Sequence, residues 1–181
     1  MTSLTRRRLL AAAALLPVAP AFAQSRPLTC GAPTEAQTAG PFFKTNTPLR
    51  ASLVEAGSKA PRLVVAGQVL SARCTPVANA LLDFWHADED GEYDNSGFRY
   101  RGHQFTDAQG RYRLATIVPA EYPGRTRHIH VKVQAPGKRV LTTQLYFPGD
   151  PGNAKDGLYE RALEMRLAKA AEGTFDFVVE T

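Results

Sequence analysis

Cysteine, methionine and tryptophan are scarce in this sequence, whose 181 residues include two Cys, two Met and one Trp. Two cysteines cannot build a four-cysteine zinc site, and the spacing of Cys30 and Cys74 matches no zinc finger. An excess of one charge sign is nearly absent too, because the net charge of +5 falls to +2 once Arg6, Arg7 and Arg8 are left out. The sequence therefore gives little support to nucleic-acid binding.

Long apolar runs are absent apart from residues 9–23, a stretch that Pro17 and Pro20 interrupt and that is too short for a comfortable membrane span. It follows Thr5-Arg6-Arg7-Arg8 and ends in Ala21-Phe22-Ala23, so it has the three parts of an export signal. We expect residues 1–23 to be a signal peptide of the twin-arginine type. The alternatives are a general secretion signal and a membrane anchor. The mature protein would be periplasmic or secreted, with no stable membrane anchor after processing.

Export would place the two cysteines in an oxidising compartment, where an even number favours a disulfide. We therefore expect Cys30 and Cys74 to be joined, which would tie the N-terminal arm to the rest of the protein. The alternative is a pair of unpaired thiols.

The composition and the pattern of short apolar segments predict one β-rich domain. Gly (14) and Pro (13) are too frequent for a helical bundle, and turn signals recur at short intervals. We expect an extended arm over residues 24–60 and a β-sandwich over 61–181, all-β, with mostly antiparallel strands, long loops and at most a short helix. The expected strands are 63–72, 80–85, 111–117, 128–134, 140–147 and 174–179, with a loop over 86–103 and a short helix over 158–169.

His128 and His130 occupy alternate positions of the predicted strand 128–134. Side chains at i and i+2 share one strand face, about 7 Å apart at the backbone, so two imidazoles there can converge on one metal ion. Ile129, Val131 and Val133 would then face the core. The alternative is a solvent-facing pair on an edge strand. The two remaining histidines, His86 and His103, are expected to be structural.

Tyr93 and Tyr122 precede this strand in loops marked by glycine or proline. A nearby cation lowers the pKa of a tyrosine phenol, which can then bind as tyrosinate. Anionic oxygen ligands suit a hard trivalent ion, so two tyrosinates and two imidazoles favour ferric iron over zinc. The alternative set completes the two histidines with a carboxylate around Fe(II) or Zn(II), taken from Asp88, Asp90 or Glu121.

Several ordered motifs are spread over residues 38–181. They are Gly40-Pro41-Phe42-Phe43; Pro76-Val77-Ala78-Asn79-Ala80-Leu81-Leu82-Asp83-Phe84-Trp85-His86-Ala87-Asp88 with Gly91-Glu92-Tyr93; Thr106-Asp107-Ala108-Gln109-Gly110-Arg111-Tyr112; Thr116-Ile117-Val118-Pro119-Ala120-Glu121-Tyr122-Pro123 with Arg125-Thr126-Arg127-His128-Ile129-His130; and Leu141-Thr142-Thr143-Gln144. In order and separation they resemble the intradiol ring-cleavage dioxygenases, and the size and export signal are similar to those of the small secreted members.

The resemblance implies a ferric-iron site held by Tyr93, Tyr122, His128 and His130. Tyr122 and His130 would be the axial ligands, and Tyr122 would leave when substrate binds. Tyr122, Arg125 and Gln144 would be the catalytic residues. Family members bind Fe(3+) and cleave a catechol-type aromatic diol between its hydroxyls with O2, giving a muconate-type diacid. The partners implied are thus a small aromatic diol and O2, and a homo-oligomer is left open.

Two positions depart from the resemblance, and one other class of protein shares part of it. Glu121 and Arg127 stand where smaller residues are commoner in the family, which would reshape the pocket entrance. The turn motifs of residues 75–122 also resemble those of non-catalytic transthyretin-like and carboxypeptidase-regulatory-like binding modules. Those modules lack Tyr93 and the His-x-His strand, so the ligand positions separate the two interpretations. The sequence leaves the identity of the catechol open.

The export signal generates a direct prediction. Because Ala21-Phe22-Ala23 has small residues at the positions that a signal peptidase reads, the mature chain should begin near Gln24. N-terminal sequencing of protein recovered from the periplasm or medium checks this, and Arg6→Lys with Arg7→Lys should block export if the route is twin-arginine. A cytoplasmic protein that retains residues 1–23 would contradict it.

Overall fold

Two β-sheets face each other in the computed structural model, which describes residues 30–169 and 171–181. The expected signal peptide, residues 1–23, lies outside the described residues. Two short 3-10 helices, Pro151–Lys155 and Arg161–Leu163, accompany the strands, and the predicted all-β sandwich is confirmed. The strands are β1 (Arg62–Ser71), β2 (Leu81–Trp85), β3 (Arg101–Phe105), β4 (Arg111–Ile117), β5 (His128–Gln134), β6 (Leu141–Tyr146), β7 (Arg166–Lys169), β8 (Glu172–Thr174) and β9 (Phe177–Val179).

The sheet that carries the histidine pair has the order β3-β2-β5-β6, with every neighbouring pair antiparallel. The other sheet has the order β4-β1-β8-β7, and β9 also pairs with β1. In that sheet β1 is antiparallel to β4 but parallel to β8 and β9. The central position of β5 between β2 and β6 fixes its register on both sides.

The core lies between the two sheets and follows the alternation of the strands. Ile129, Val131 and Val133 of β5 are fully buried against apolar side chains of the opposite sheet, such as Leu63 and Val65 of β1. Each such side chain contributes about 1.5–3 kcal/mol when it leaves water. A slip of one residue in β5 would turn this apolar row outward, so the core fixes the face on which the histidines lie.

The N-terminal part of the described chain covers strand edges that would otherwise be open. Leu49 pairs with His103 on β3, Ser52 pairs with Ala115 on β4, and the Gln37 amide donates to the Thr142 carbonyl on β6. Unpaired edge strands template association with other chains, so such cover protects the monomer. The segment thereby becomes part of the sandwich, although residues 30–60 hold no helix or regular strand.

A disulfide joins Cys30 to Cys74, with the two Cα atoms 5.3 Å apart. The predicted bond is therefore confirmed. It anchors the start of the described chain to the turn that follows β1, at a sequence separation of 44 residues.

Three predicted elements differ from the structure. The strand expected over 174–179 is interrupted at residues 175 and 176, which separate β8 from β9. The helix expected over 158–169 is instead a 3-10 turn followed by strand β7, because Leu163 and Met165 are buried with a period of two and the Met165 amide donates to the Tyr146 carbonyl. The loop expected over 86–103 ends in strand β3, which has no apolar alternation to reveal it. At Gly102 of this strand, the side chains of Arg50 and Leu53 occupy the space that a β-carbon would need.

Among the residues described, no helix has the length and apolar character needed to cross a membrane.

Loss of the disulfide should lower stability measurably. In the chain-entropy model, closing a loop of this length contributes about 3–4 kcal/mol to the free energy of unfolding. The double variant Cys30→Ser with Cys74→Ser should therefore unfold at lower denaturant concentration than the wild type. Thiol titration of the unreduced, denatured wild type should find no free thiol. Two titratable thiols per chain would contradict the bond.

Candidate metal centre and active site

His128 and His130 lie side by side on one face of β5, and their Nε2 atoms are 3.0 Å apart. The register places His128 opposite Tyr146 on β6, and it places His130 between Trp85 on β2 and Gln144 on β6. The Trp85 indole stacks on the His130 ring at 4.7 Å with the planes nearly parallel. Both histidines are buried, so the alternative of a solvent-facing pair is wrong.

Both imidazoles are held as neutral bases. Burial lowers the pKa of His128 to about 4, and burial together with the neighbouring His128 lowers the pKa of His130 well below its ordinary value. The Nδ1 atom of His128 lies 2.7 Å from the Thr126 carbonyl, which can only accept, so Nδ1 carries the proton and Nε2 presents its lone pair. A neutral imidazole whose other nitrogen donates to a carbonyl is the usual form of a metal-ligating histidine.

Tyr93 and Tyr122 approach the histidine pair from two loops. The Tyr93 hydroxyl lies 3.5 Å from Nε2 of His128, and the two tyrosine rings meet edge to face at 5.7 Å. The Tyr122 ring lies 5.9 Å from the His128 ring. Burial raises the pKa of Tyr93, so without a cation its phenol stays protonated. A hard metal ion would remove that proton, and the structure brings together all four predicted donors.

The two tyrosine loops are fixed to each other through backbone contacts. Gly91 has a φ of +84°, and a β-carbon there would lie 2.3 Å from the Glu121 carbonyl oxygen. The Ala120 amide also donates to the Asp88 carbonyl at 3.0 Å. Because only glycine fits at position 91, this residue sets the close approach of the two loops.

Of the alternative carboxylate ligands, Asp88 is engaged in other contacts, and Asp90 and Glu121 are exposed. The Asp88 carboxylate pairs with Arg99 at 2.5 Å and accepts the backbone amides of Asp90 and Glu92. Within residues 30–169 and 171–181, no group of three or more His, Cys, Asp or Glu side chains is arranged to hold a metal. The structure therefore favours the tyrosines over a carboxylate as partners of the two histidines.

Arg125 and Gln144 meet beside this cluster. A tight turn in which the Arg125 amide donates to the Tyr122 carbonyl holds Arg125 close to Tyr122, and strand β6 supplies Gln144. The Nη2 of Arg125 donates to the Oε1 of Gln144 at 2.6 Å, and the Gln144 amide nitrogen donates to the Thr38 carbonyl at 3.0 Å. Burial alone would lower the pKa of Arg125, but hydrogen bonds to Asp156 and Tyr122 and the charge of Asp156 raise it. The guanidinium is therefore a permanent positive charge.

A cavity of about 340 Å³ opens at Tyr122 and Arg125. Its volume lies at the lower end of the range for small-ligand pockets, about 300–1,000 Å³, and suits a single aromatic ring. Glu121 and Lys155 contribute one charge of each sign to its lining. Arg127, the second departure from the expected pattern, pairs with Asp150.

Comparison with known proteins decides the family. The sequence model described as "Dioxygenase" matches residues 38–178. The chlorocatechol 1,2-dioxygenase of Pseudomonas sp. (strain P51) is 32% identical over 174 residues, covering 78% of this chain and 68% of that protein. The crystal structure of 3-chlorocatechol 1,2-dioxygenase from Rhodococcus opacus 1CP is 27% identical, with a TM-score of 0.73 over 80% of this chain and 71% of that one. The chain belongs to the intradiol ring-cleavage dioxygenase family.

Another member of the family is similar over nearly its whole length. It is the dioxygenase domain of a dioxygenase–carbohydrate-binding protein fusion from Streptomyces sp. SirexAA-E, 55% identical with a TM-score of 0.79, covering 82% of this chain and 99% of that one. The chain spans only part of three curated relatives. It covers 68% of the chlorocatechol 1,2-dioxygenase of Pseudomonas sp. (strain P51), 50% of the protocatechuate 3,4-dioxygenase beta chain of Burkholderia cepacia and 60% of catechol 1,2-dioxygenase 2 of Acinetobacter lwoffii.

Sequence reasoning missed several residues that shape this dioxygenase site. Asp156 binds Arg125, and Tyr146 donates to Gln144 Oε1 at 3.0 Å. Phe42 stacks on Tyr93 at 4.3 Å. The sequence could have pointed to Tyr146, since this residue lies two positions after Gln144 on the same strand face. It could not have pointed to Asp156, because this residue lies in a loop 31 residues after its partner Arg125.

The donor set predicts how single variants change metal binding. Tyr93→Phe should lower iron affinity and change the visible absorption that iron-bound tyrosinate gives, because one of the two anionic oxygen donors is lost, and His128→Ala should abolish iron retention. Tyr112→Phe is the matched control: this tyrosine is as buried as Tyr93 but donates to the Phe175 carbonyl in the core. It should keep iron and colour at a stability loss of about 1 kcal/mol. Iron content and the visible spectrum check this, and a Tyr93→Phe protein with both unchanged would contradict the assignment.

Proposed function

We propose that this chain uses Fe(3+) to cleave a catechol-type aromatic diol between its two hydroxyls with O2, giving a muconate-type diacid. The observation that carries the proposal is the convergence of Tyr93, Tyr122, His128 and His130 beside Arg125 and Gln144. Two imidazoles and two phenols form a donor set suited to a hard trivalent ion. When bound, ferric iron would supply Lewis acidity and a template for the diol.

The reaction balances without a further oxidant or reductant. The bond between the two hydroxyl-bearing carbons breaks, and each of these carbons gains one oxygen atom from O2. Catechol and O2 together have the composition of the diacid, so no other electron donor or acceptor is required. The protein has to bind the diol, accept and return its protons and stabilise negative charge on the ring.

Tyr122 and Arg125 are the residues placed for the last two tasks. Tyr122 is half-buried and lines the cavity, so with iron bound its oxygen would be placed to take a proton from an entering diol hydroxyl. Arg125 lines the same cavity and keeps its positive charge, which can stabilise negative charge on the substrate ring. Gln144 orients the arginine, because its Oε1 accepts from Nη2 and its own amide is held by Thr38.

We further propose that the protein acts outside the cytoplasm. The proposed export signal at residues 1–23 supports this, and the Cys30–Cys74 disulfide suits an oxidising compartment. Small diffusible diols and O2 are both accessible to an enzyme that works there.

Oxygen uptake by the iron-loaded protein tests the proposal. Catechol, protocatechuate and hydroxyquinol should be screened, with resorcinol as the control because its hydroxyls are not on adjacent carbons. We expect one O2 consumed per ring opened for at least one vicinal diol, a diacid product by mass spectrometry, and no uptake with resorcinol. A product cleaved beside the hydroxyls, or no uptake with any vicinal diol, would contradict it.

A further inference from the structure

Asp156 is a buried carboxylate that neither the motifs nor the proposed chemistry accounts for. It follows the 3-10 helix Pro151–Lys155, and its side chain is 1% exposed. Its oxygens accept four hydrogen-bond contacts: two from the Nε of Arg125, at 2.8 and 3.0 Å, and one each from the amides of Thr126 and Leu158. A carboxylate so fully occupied is a fixed element of the structure.

The first consequence concerns the orientation of the Arg125 guanidinium. Its Nε is held by Asp156 and its Nη2 by Gln144 at 2.6 Å. A guanidinium is planar, so fixing two of its nitrogens fixes the plane of the whole group. The side chain of Arg125 is 10% exposed, and without Asp156 it could rotate toward the open side of the cavity.

A second consequence concerns the backbone at Thr126. Asp156 accepts the Thr126 amide at 3.0 Å, and the carbonyl of the same residue accepts the Nδ1–H of His128 at 2.7 Å. One carboxylate therefore contacts both the Arg125 guanidinium and the backbone of Thr126, the residue whose carbonyl orients the His128 imidazole. Removal of a side chain that orients a metal ligand or a catalytic group in this way typically lowers metal affinity or activity about 10–100-fold.

We propose that Asp156 is a positioning residue that holds the Arg125 guanidinium in the orientation needed to stabilise charge on the substrate ring. The inference rests on the proposed function. Asp156 itself does not contact the cluster of the four donors, and its effect on rate passes through Arg125.

Asp156→Asn is the sharpest variant, because asparagine keeps the size and one oxygen for the Thr126 amide, while it removes the negative charge that pairs with Arg125 and one of the two oxygens that accept from its Nε. Iron content and the visible spectrum should stay unchanged, while kcat falls about 10–100-fold with a smaller change in KM. In an Arg125→Ala background, itself expected to be about 10²–10³-fold slower, Asp156→Asn should cause little further loss. Equal losses in both backgrounds would overturn the inference.

Asp150→Asn is the matched control. Asp150 lies in the same loop, is almost as buried, and pairs with Arg127, the arginine two residues after Arg125. The control should lower the unfolding temperature without the selective loss of kcat. A loss of kcat in the control equal to that in Asp156→Asn would mean that the loop's stability, and not the Arg125 contact, controls the rate.

A measurement on the wild type separates this inference from the proposed function and does not depend on the folding of the Asp156 variant. In metal-free protein, the Nε–H signal of Arg125, assigned by its absence in Arg125→Ala, should exchange slowly with solvent because Asp156 holds it in a buried ion pair. Rapid exchange would overturn the positioning role. Absence of ring cleavage by the wild type would instead contradict the proposed function.

Discussion

Two neutral imidazoles buried next to each other on β5 are the constraint on which the rest of the site depends. Their Nε2 atoms are 3.0 Å apart, and burial lowers the pKa of both side chains. Burial thus favours the neutral form of both imidazoles, whose ring nitrogens can offer lone pairs to a cation. The apolar row of Ile129, Val131 and Val133 on the opposite face of the strand keeps this orientation.

The surrounding loops supply the two tyrosines, because β5 carries only the two histidines of the proposed donor set. Gly91 lets the loop of Tyr93 pack against the carbonyl of Glu121, next to Tyr122. The arm closes another side, since Phe42 stacks on Tyr93 and its carbonyl accepts from the buried Arg101 at 2.5 Å. That guanidinium also donates to the Asp94 carbonyl, so it ties the arm to the loop after Tyr93. The single strand β5 thus provides the nitrogen donors, and the loops of Tyr93 and Tyr122 together with the N-terminal arm position the oxygen donors and cover the site.

Local sequence patterns predicted the parts of the structure that depend on local periodicity. The bounds of β4 and β5 agree with the predicted strands, because turn residues and apolar alternation mark them. Strand β3 escaped prediction, since Arg101 is buried for its contacts with loop carbonyls rather than for apolar packing. The histidine pair followed from the alternation of β5 and the two tyrosines from their loop positions, and the motif resemblance implied the complete ligand set. Asp156 could not be found, because its contact with Arg125 depends on how two distant loops fold together.

We propose that two tyrosines and two histidines of this chain hold one ferric ion. A crystal structure of the iron-loaded protein, with anomalous diffraction measured on both sides of the iron edge, is the most direct test. We expect one iron peak with Tyr93, Tyr122, His128 and His130 as ligands, each at about 2 Å. A peak elsewhere in the chain, or a carboxylate such as Asp88 or Glu121 bound in place of either tyrosine, would contradict it.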